Sequence, residues 1–237
     1  MRKIAITDVH GCHLTFKKLL RDVVQLTAED ELYLLGDYVD RGPGSRQVFD
    51  AIFELQAKGH KVRCLKGNHE AIFLECINGK GRFPDWLRYG GRMTLDSFDV
   101  LHPGEIPEEY VKFMNDLEYF IEIDNYILVH AGLNFMVTDP LKDPSGMMWS
   151  RNWEPNVNRN WLDKRCVVYG HTPNTKAQIE ASFTVFSQQK LLNIDAGCYG
   201  TYIPGYGNLC AFDMTNQILY FQENIDDMSA WKAHSGK

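Results

Sequence analysis

The side chains best suited to chemistry fall in four short blocks, Asp8-Val9-His10-Gly11, Gly36-Asp37-Tyr38-Val39-Asp40-Arg41-Gly42, Gly67-Asn68-His69-Glu70 and His130-Ala131-Gly132, with Gly170-His171 following later. Each ends an apolar run that reads as a β-strand, and α/β folds place their sites at such strand ends. Asp8 and His10 alternate with Val9, so an extended strand end can turn both polar side chains one way and Val9 toward the core. Asp37 adds a carboxylate whose two oxygens can bridge two cations, Asn68 an amide oxygen, and His130 and His171 two imidazoles. Carboxylate with imidazole suits manganese, iron or zinc better than calcium, which prefers all-oxygen shells. A lone Asp-x-His pattern is a common accident, and Gly-Asp pairs make ordinary turns. The conjunction of donor-bearing strand ends, each bounded by glycine, is what argues for a two-cation phosphoesterase site.

Two cations roughly 3.5–4 Å apart can clamp a phosphate, make a shared water acidic enough to supply hydroxide near neutrality, and stabilise charge developing in line. The protein must then supply positive charge for the remaining phosphate oxygens and an acid for the leaving oxygen. Arg41 and Arg151 suit the first task, because a guanidinium donates as a planar fork. His69, beside the ligand Asn68, suits the second, and Asp40 is expected to hold it as imidazolium.

The elements that must position these groups alternate. Strands are expected over 3–7, 31–35 and 61–66, with helices over 13–26, 45–58 and 69–77, a rhythm that implies largely parallel strands covered by helices. Residues 78–116 break the rhythm and read as a mostly helical cap insertion. Strands are then expected over 119–123, 126–129, 166–169, 183–186, 190–194, 209–213 and 217–221, forming a second sheet packed on the first. From Glu223 to Lys237 periodicity fades, and a loosely held tail is expected.

With 237 residues, 44% of them hydrophobic, the chain suits one domain spanning 1–237. A net charge of -6 argues against nucleic acid as a partner. Met1-Arg2-Lys3 runs directly into a strand, leaving no room for a signal peptide, and no apolar stretch reaches the length of a membrane span, so a soluble cytoplasmic protein without a membrane partner is expected. Six scattered cysteines read as reduced, buried thiols, with Cys12 close enough to His10 for its oxidation to matter.

The blocks together resemble the phosphoprotein phosphatase family of metal-dependent serine/threonine phosphatases, most of all its small bacterial and bacteriophage lambda branch. Trp86-Leu87-Arg88-Tyr89-Gly90-Gly91 with Thr94-Leu95, Trp149-Ser150-Arg151, Gly170-His171-Thr172-Pro173 and Asn193-Ile194-Asp195-Ala196-Gly197 extend the likeness from about residue 3 to 213. Thr7 before Asp8 and Tyr89 before the paired glycines depart from that pattern without removing a ligand. The resemblance implies an α/β, calcineurin-like metallophosphoesterase fold, two packed mixed sheets flanked by helices. It implies two divalent ions, manganese first and iron or zinc as alternatives. Asp8, His10 and Asp37 would hold one, and Asp37, Asn68, His130 and His171 the other. Arg41, Arg151 and Asn68 would bind the substrate phosphate, with His69 and Asp40 as the acid pair.

The implied activity is hydrolysis of phosphoserine or phosphothreonine, with phosphotyrosine as a side activity, in a phosphorylated protein partner by a monomeric enzyme. A symmetrical diadenosine tetraphosphate hydrolase is the runner-up. Such hydrolases carry similar blocks but usually lack an aspartate at the place of Asp40 and the 86–95 pattern, which tilts the reading toward proteins. An inactive phosphopeptide-binding regulator would have lost a ligand or the acid, whereas every role is filled here.

Other conspicuous residues have plainer readings. Phe83, Trp86 and Tyr89 are expected on a buried helix face, His60, His102 and His234 at the surface, and Asp195 in an ordinary turn. Glu70 and His13 are candidates for touching substrate.

Overall fold

Strands β1 (Lys3–Ile6), β2 (Glu31–Leu34) and β3 (Lys61–Cys64) run parallel in the computed structural model, which describes residues 1–235. The helices that follow them, His13–Lys18, Ser45–Ala57 and Asn68–Ile77, return the chain over one face. Next come β4 (Phe120–Ile123), β5 (Tyr126–Val129), β6 (Cys166–Tyr169), β7 (Leu191–Asn193), β8 (Asn208–Asp213) and β9 (Ile218–Glu223). Two mixed sheets result, ordered β3-β2-β1-β8-β9 and β4-β5-β6-β7. In the second, β5, β6 and β7 are parallel and β4 is antiparallel to β5.

Alternation along the strands separates the layers. Ile4, Ile6, Leu32 and Leu34 face the helices and pack with Phe16, Val48, Phe49 and Phe73. Ala5, Tyr33 and Leu35 point the other way, against Ile121, Leu128, Val168 and Leu192 of the second sheet. The far face of that sheet is covered by Leu133, Met147, Trp153 and Leu162. This is the expected α/β layering of two packed sheets between helices.

Register decides where the site forms. Ile6 lies beside Leu34 and Leu34 beside Cys64, so the chain leaves β1, β2 and β3 at one edge, and Asp8, Asp37 and Asn68 follow there. Leu128 lies beside Val168 and Tyr169 beside Asn193, so His130, His171 and Asp195 leave the second sheet in the same way.

The 78–116 insertion is helical at Phe83–Trp86, Arg92–Phe98 and Glu108–Asn115, and packs through Tyr110 and Phe113 on Phe49 and Phe53. Strands β8 and β9 join the first sheet, β8 antiparallel to β1, and not the second sheet expected of them, and two further segments differ from expectation. Residues 183–186 are not a strand: the helix Lys176–Thr184 begins at a capping box of Thr175 and Gln178, and a further short helix starts at Phe186. Ile179, Phe183 and Phe186 then share one buried face, a helical spacing that two aromatics in a short window conceal. Beyond Glu223, the helix Ser229–Ser235 buries Trp231, and Asp226 accepts hydrogen bonds from the Leu14 N–H at 3.0 Å, the Thr15 N–H at 2.9 Å and the Thr15 hydroxyl at 2.6 Å. Residues 236 and 237 of the expected tail lie outside the described residues. Among the described residues no helix is long and apolar enough to cross a membrane.

The Asp226 contacts make a test of how firmly the C-terminal segment ties to the first helix. Burial raises its carboxyl, but hydrogen bonds from His13, Thr15 and Leu14 outweigh that and hold it below the ordinary carboxylate value. Its contribution is therefore complete above the unfolded value of about 3.9 and is lost as pH falls through the lower folded value. Asp226→Ala is expected to cost about 1–3 kcal/mol in urea unfolding at pH 7. The gap from wild type should narrow in acid.

Candidate active site

Turning side chains inward at strand ends forces the backbone into an unusual conformation. Asp8, His10, Asp37, Asp40, Arg41 and His171 all have positive φ, between 45° and 70°. This left-handed region is uncommon for residues with a Cβ, and Asp and His enter it more readily than most. Cross-links between loops hold it: the His10 N–H donates to the Asp37 carbonyl at 2.8 Å, and the Gly42 N–H to the His10 carbonyl at 2.9 Å. Two glycines are required by proximity. A Cβ on Gly67 would lie 2.1 Å from Asp37 Oδ1, and one on Gly170 would lie 2.2 Å from Asp8 Oδ2.

Glu70 is the hub of these turns. Its buried carboxylate accepts from the backbone N–H groups of Asp37 (2.9 Å), Tyr38 (2.8 Å), Val39 (3.2 Å) and Gly67 (2.9 Å). It serves the scaffold, and is fully buried rather than available to substrate, which corrects its reading as a contact candidate. His13 likewise turns to Asp226, with Nδ1 3.3 Å from Oδ1.

The predicted donors converge. His10 Nδ1 donates to the Val39 carbonyl at 2.9 Å, and His130 Nδ1 to the Leu35 carbonyl at 2.9 Å, so each presents a bare Nε2 lone pair inward. Asp37 lies between them, with Oδ2 3.4 Å from His10 Nε2 and Oδ1 3.5 Å from His130 Nε2. Asn68 Oδ1 is 3.0 Å from His130 Nε2 and 2.8 Å from His171 Nδ1, while His171 Nε2 is buried without a partner. Asp8 Oδ2 accepts from the Thr7 hydroxyl and the His171 N–H, leaving Oδ1 3.9 Å from His10 Nε2.

Two trios, His10 with Asp37 and His69, and Asp37 with His130 and His171, each have donor atoms within 4.8 Å of one another. Burial lowers the pKa of all four site histidines, His171 to about 2, and burial with the neighbouring Asp8 pushes Asp37 well up. Neutral imidazoles and crowded carboxylates whose lone pairs face each other repel unless positive charge stands among them. The donor set therefore fits a dinuclear metal site sharing Asp37.

His69, Asp40 and the arginines assemble beside it. His69 Nδ1 donates to Asp40 Oδ2 at 2.7 Å, and Asp40 is itself held by the Trp86 indole N–H at 3.1 Å and the Thr94 hydroxyl at 2.7 Å. Burial pushes Asp40 up to about 8. Arg41 donates to His10 Nε2 at 2.6 Å and His69 Nε2 at 2.8 Å, with its guanidinium 4.1 Å from the centre of the Tyr199 ring. Burial and then the Arg41 charge depress His69, which runs against the expected support of an imidazolium by Asp40. Arg151 is exposed and donates to the Thr172 hydroxyl at 2.8 Å, next to His171.

Sequence reasoning overlooked several residues. Trp86 is buried as expected, yet it serves Asp40; Tyr89 is instead 51% exposed, with its ring 6.4 Å from that of His69. Asp195 makes the expected turn, accepting the Gly197 N–H at 2.9 Å, but its Oδ2 is buried without a partner and Asp8 and burial push its carboxyl up. Its position at a strand end was the available signal.

A family profile described as calcineurin-like phosphoesterase matches residues 1–219. A symmetrical bis(5'-nucleosyl)-tetraphosphatase of Nitrosomonas europaea is 32% identical over 134 residues, 56% of this chain and 45% of that protein. An asymmetrical bis(5'-nucleosyl)-tetraphosphatase of a Geobacillus strain is 24% identical over 222 residues, 81% of this chain and 84% of that protein. The chain thus spans less than half the length of the first relative and most of the second. Among solved structures, a serine/threonine phosphatase from Saccharomyces cerevisiae superposes with a TM-score of 0.64 at 17% identity, covering 95% of this chain and 81% of that one, a likeness of fold.

These relatives overturn the expectation of a serine/threonine protein phosphatase, and with it the phosphorylated protein as partner. The error has a physical origin. Asp40 and the 86–95 pattern tilt the sequence reading toward a protein substrate, whereas Asp40, Trp86, Thr94 and His69 form one hydrogen-bonded unit that carries no mark of the substrate. Thr94→Val is expected to cost about 1–3 kcal/mol in urea unfolding, by leaving the Asp40 carboxylate and N–H short of a partner, and Thr94→Ser to recover most of it.

Proposed function

The chain belongs to the calcineurin-like phosphoesterase family, and we propose that it hydrolyses dinucleoside polyphosphates, diadenosine tetraphosphate being the representative substrate. The observation that carries this reading is the likeness to two bis(5'-nucleosyl)-tetraphosphatases of opposite cleavage pattern, one of them along most of the chain. Asp8, His10 and Asp37 would hold one divalent ion, and Asp37, Asn68, His130 and His171 the other. Manganese is the proposed metal, since the mixed Asp, Asn and His set accepts it readily. When bound, the pair polarises a phosphoryl oxygen and makes a water nucleophilic.

The chain's own groups do the rest. Arg41 and Arg151 neutralise and orient the phosphate oxygens, with Asn68 presenting its amide beside them. Arg41 reaches this task by leaving the Nε2 atoms of His10 and His69, with the Tyr199 face as its support. His69 Nε2 is then free to carry a proton to the leaving oxygen, while Asp40 keeps the ring oriented through Nδ1. The lambda-branch likeness at Trp86 and Thr94 is read as this orienting unit. Six free cysteines suit a reducing compartment, and the cytoplasm is the proposed one.

With manganese present, kcat/KM for diadenosine tetraphosphate is expected to exceed that for a phosphoserine peptide by tenfold or more, and chromatography of the products separates symmetrical cleavage to two ADP from asymmetrical cleavage to AMP and ATP. Preference for the peptide would overturn the proposal. A phosphate leaving group, with a second pKa of about 6, needs less protonation than an alkoxide. His69→Asn should therefore lose roughly 10²–10⁴-fold in kcat on glycerol phosphate and markedly less on diadenosine tetraphosphate.

A further inference from the structure

A cavity of about 370 Å³ opens beside the His130 and His171 end of the site, and we infer that it takes one nucleoside of the substrate, base and ribose together, with Arg151 at its mouth holding the adjoining phosphate. The inference rests on the dinucleoside reading and deepens it. Ala131 and Thr172, the residues that directly follow His130 and His171, form part of its wall, so the cavity lies next to the donor cluster. Arg151 lines it as well, anchored through the Thr172 hydroxyl at 2.8 Å, and its charge is felt by both histidines. A phosphate held there is bound on one side to the reacting group and on the other to whatever fills the cavity.

The lining matches a nucleoside. Its volume lies at the small end of ligand sites, roughly 300–1,000 Å³, which suits one nucleoside and excludes the whole dinucleotide. Glu154 Oε1 accepts the Tyr169 hydroxyl at 2.7 Å, which fixes the carboxylate and leaves its other oxygen for the vicinal ribose hydroxyls, the partner acidic side chains commonly take in nucleotide sites. Leu191 and Val185 offer apolar contact for a base face, and the Asn152 amide offers both donor and acceptor to its edge.

Val185 is 41% exposed and outside the catalytic groups, so Val185→Trp can fill the cavity from its rim. The manganese-loaded variant is expected to show a KM for diadenosine tetraphosphate raised at least tenfold, with p-nitrophenyl phosphate turnover and thermal melting unchanged. Glu154→Gln, which keeps an acceptor for Tyr169, should reduce the wild-type preference for diadenosine tetraphosphate over its 2'-deoxyribose analogue. If wild type cleaves the dinucleotide while both variants leave its KM and its sugar preference unchanged, the cavity assignment is overturned. If wild type cleaves p-nitrophenyl phosphate and not the dinucleotide, the functional reading itself fails and takes the cavity assignment with it.

Discussion

Everything in the site depends on one buried carboxylate that never needs to meet substrate. Glu70 gathers the N–H groups of Asp37, Tyr38, Val39 and Gly67, and so binds the turn after β2 to the start of the helix after β3. Those turns contain backbone that would otherwise relax: Asp37 and Asp40 sit in the left-handed region because their side chains must point to the cluster and not along the strand. Four backbone hydrogen bonds offset part of the desolvation of the carboxyl group, which burial still pushes above its ordinary value. Remove that anchor and Asp37, Asn68, His69 and Asp40 lose their common frame at once.

The second constraint is topological. Parallel register in two facing sheets delivers six strand ends to one side of the molecule, three from each sheet. His10 and His130 are locked as donors to backbone carbonyls through Nδ1, so their Nε2 lone pairs converge. A cluster built in this way has too much negative potential to be stable as a bare polar core. Its arginines answer part of the imbalance from above, and Asp37, with one oxygen toward each histidine group, marks where the remaining positive charge belongs.

Much of this was legible in the sequence because the chemistry and the fold share residues. Each donor follows closely on an apolar run, so finding the strands located the donor side chains, and those expected to hold metal lie in one cluster. Where reasoning failed, competing patterns explain it. Phe183 and Phe186 mimic a strand, although the Thr175 and Gln178 capping pair just upstream announces a helix. Glu70 reads in the sequence as a neighbour of the site and not as its anchor, because hydrogen bonds to backbone 31–33 residues away leave no periodic trace. Asp195 was read for its turn alone, since burial cannot be judged from a local Asp-Ala-Gly. The substrate was misjudged for a deeper reason: Asp40, Trp86 and Thr94 bond to one another and to His69, contacts that carry no mark of the substrate.

The account stands on Asp37 being shared between two metal positions. Manganese stoichiometry by plasma mass spectrometry, after loading and gel filtration, tests this directly. Wild type should hold two ions per chain and His171→Ala one, whereas Asp37→Asn, folded by circular dichroism, should hold fewer than one. Two ions retained by Asp37→Asn at wild-type affinity would contradict the shared bridge and the site built around it.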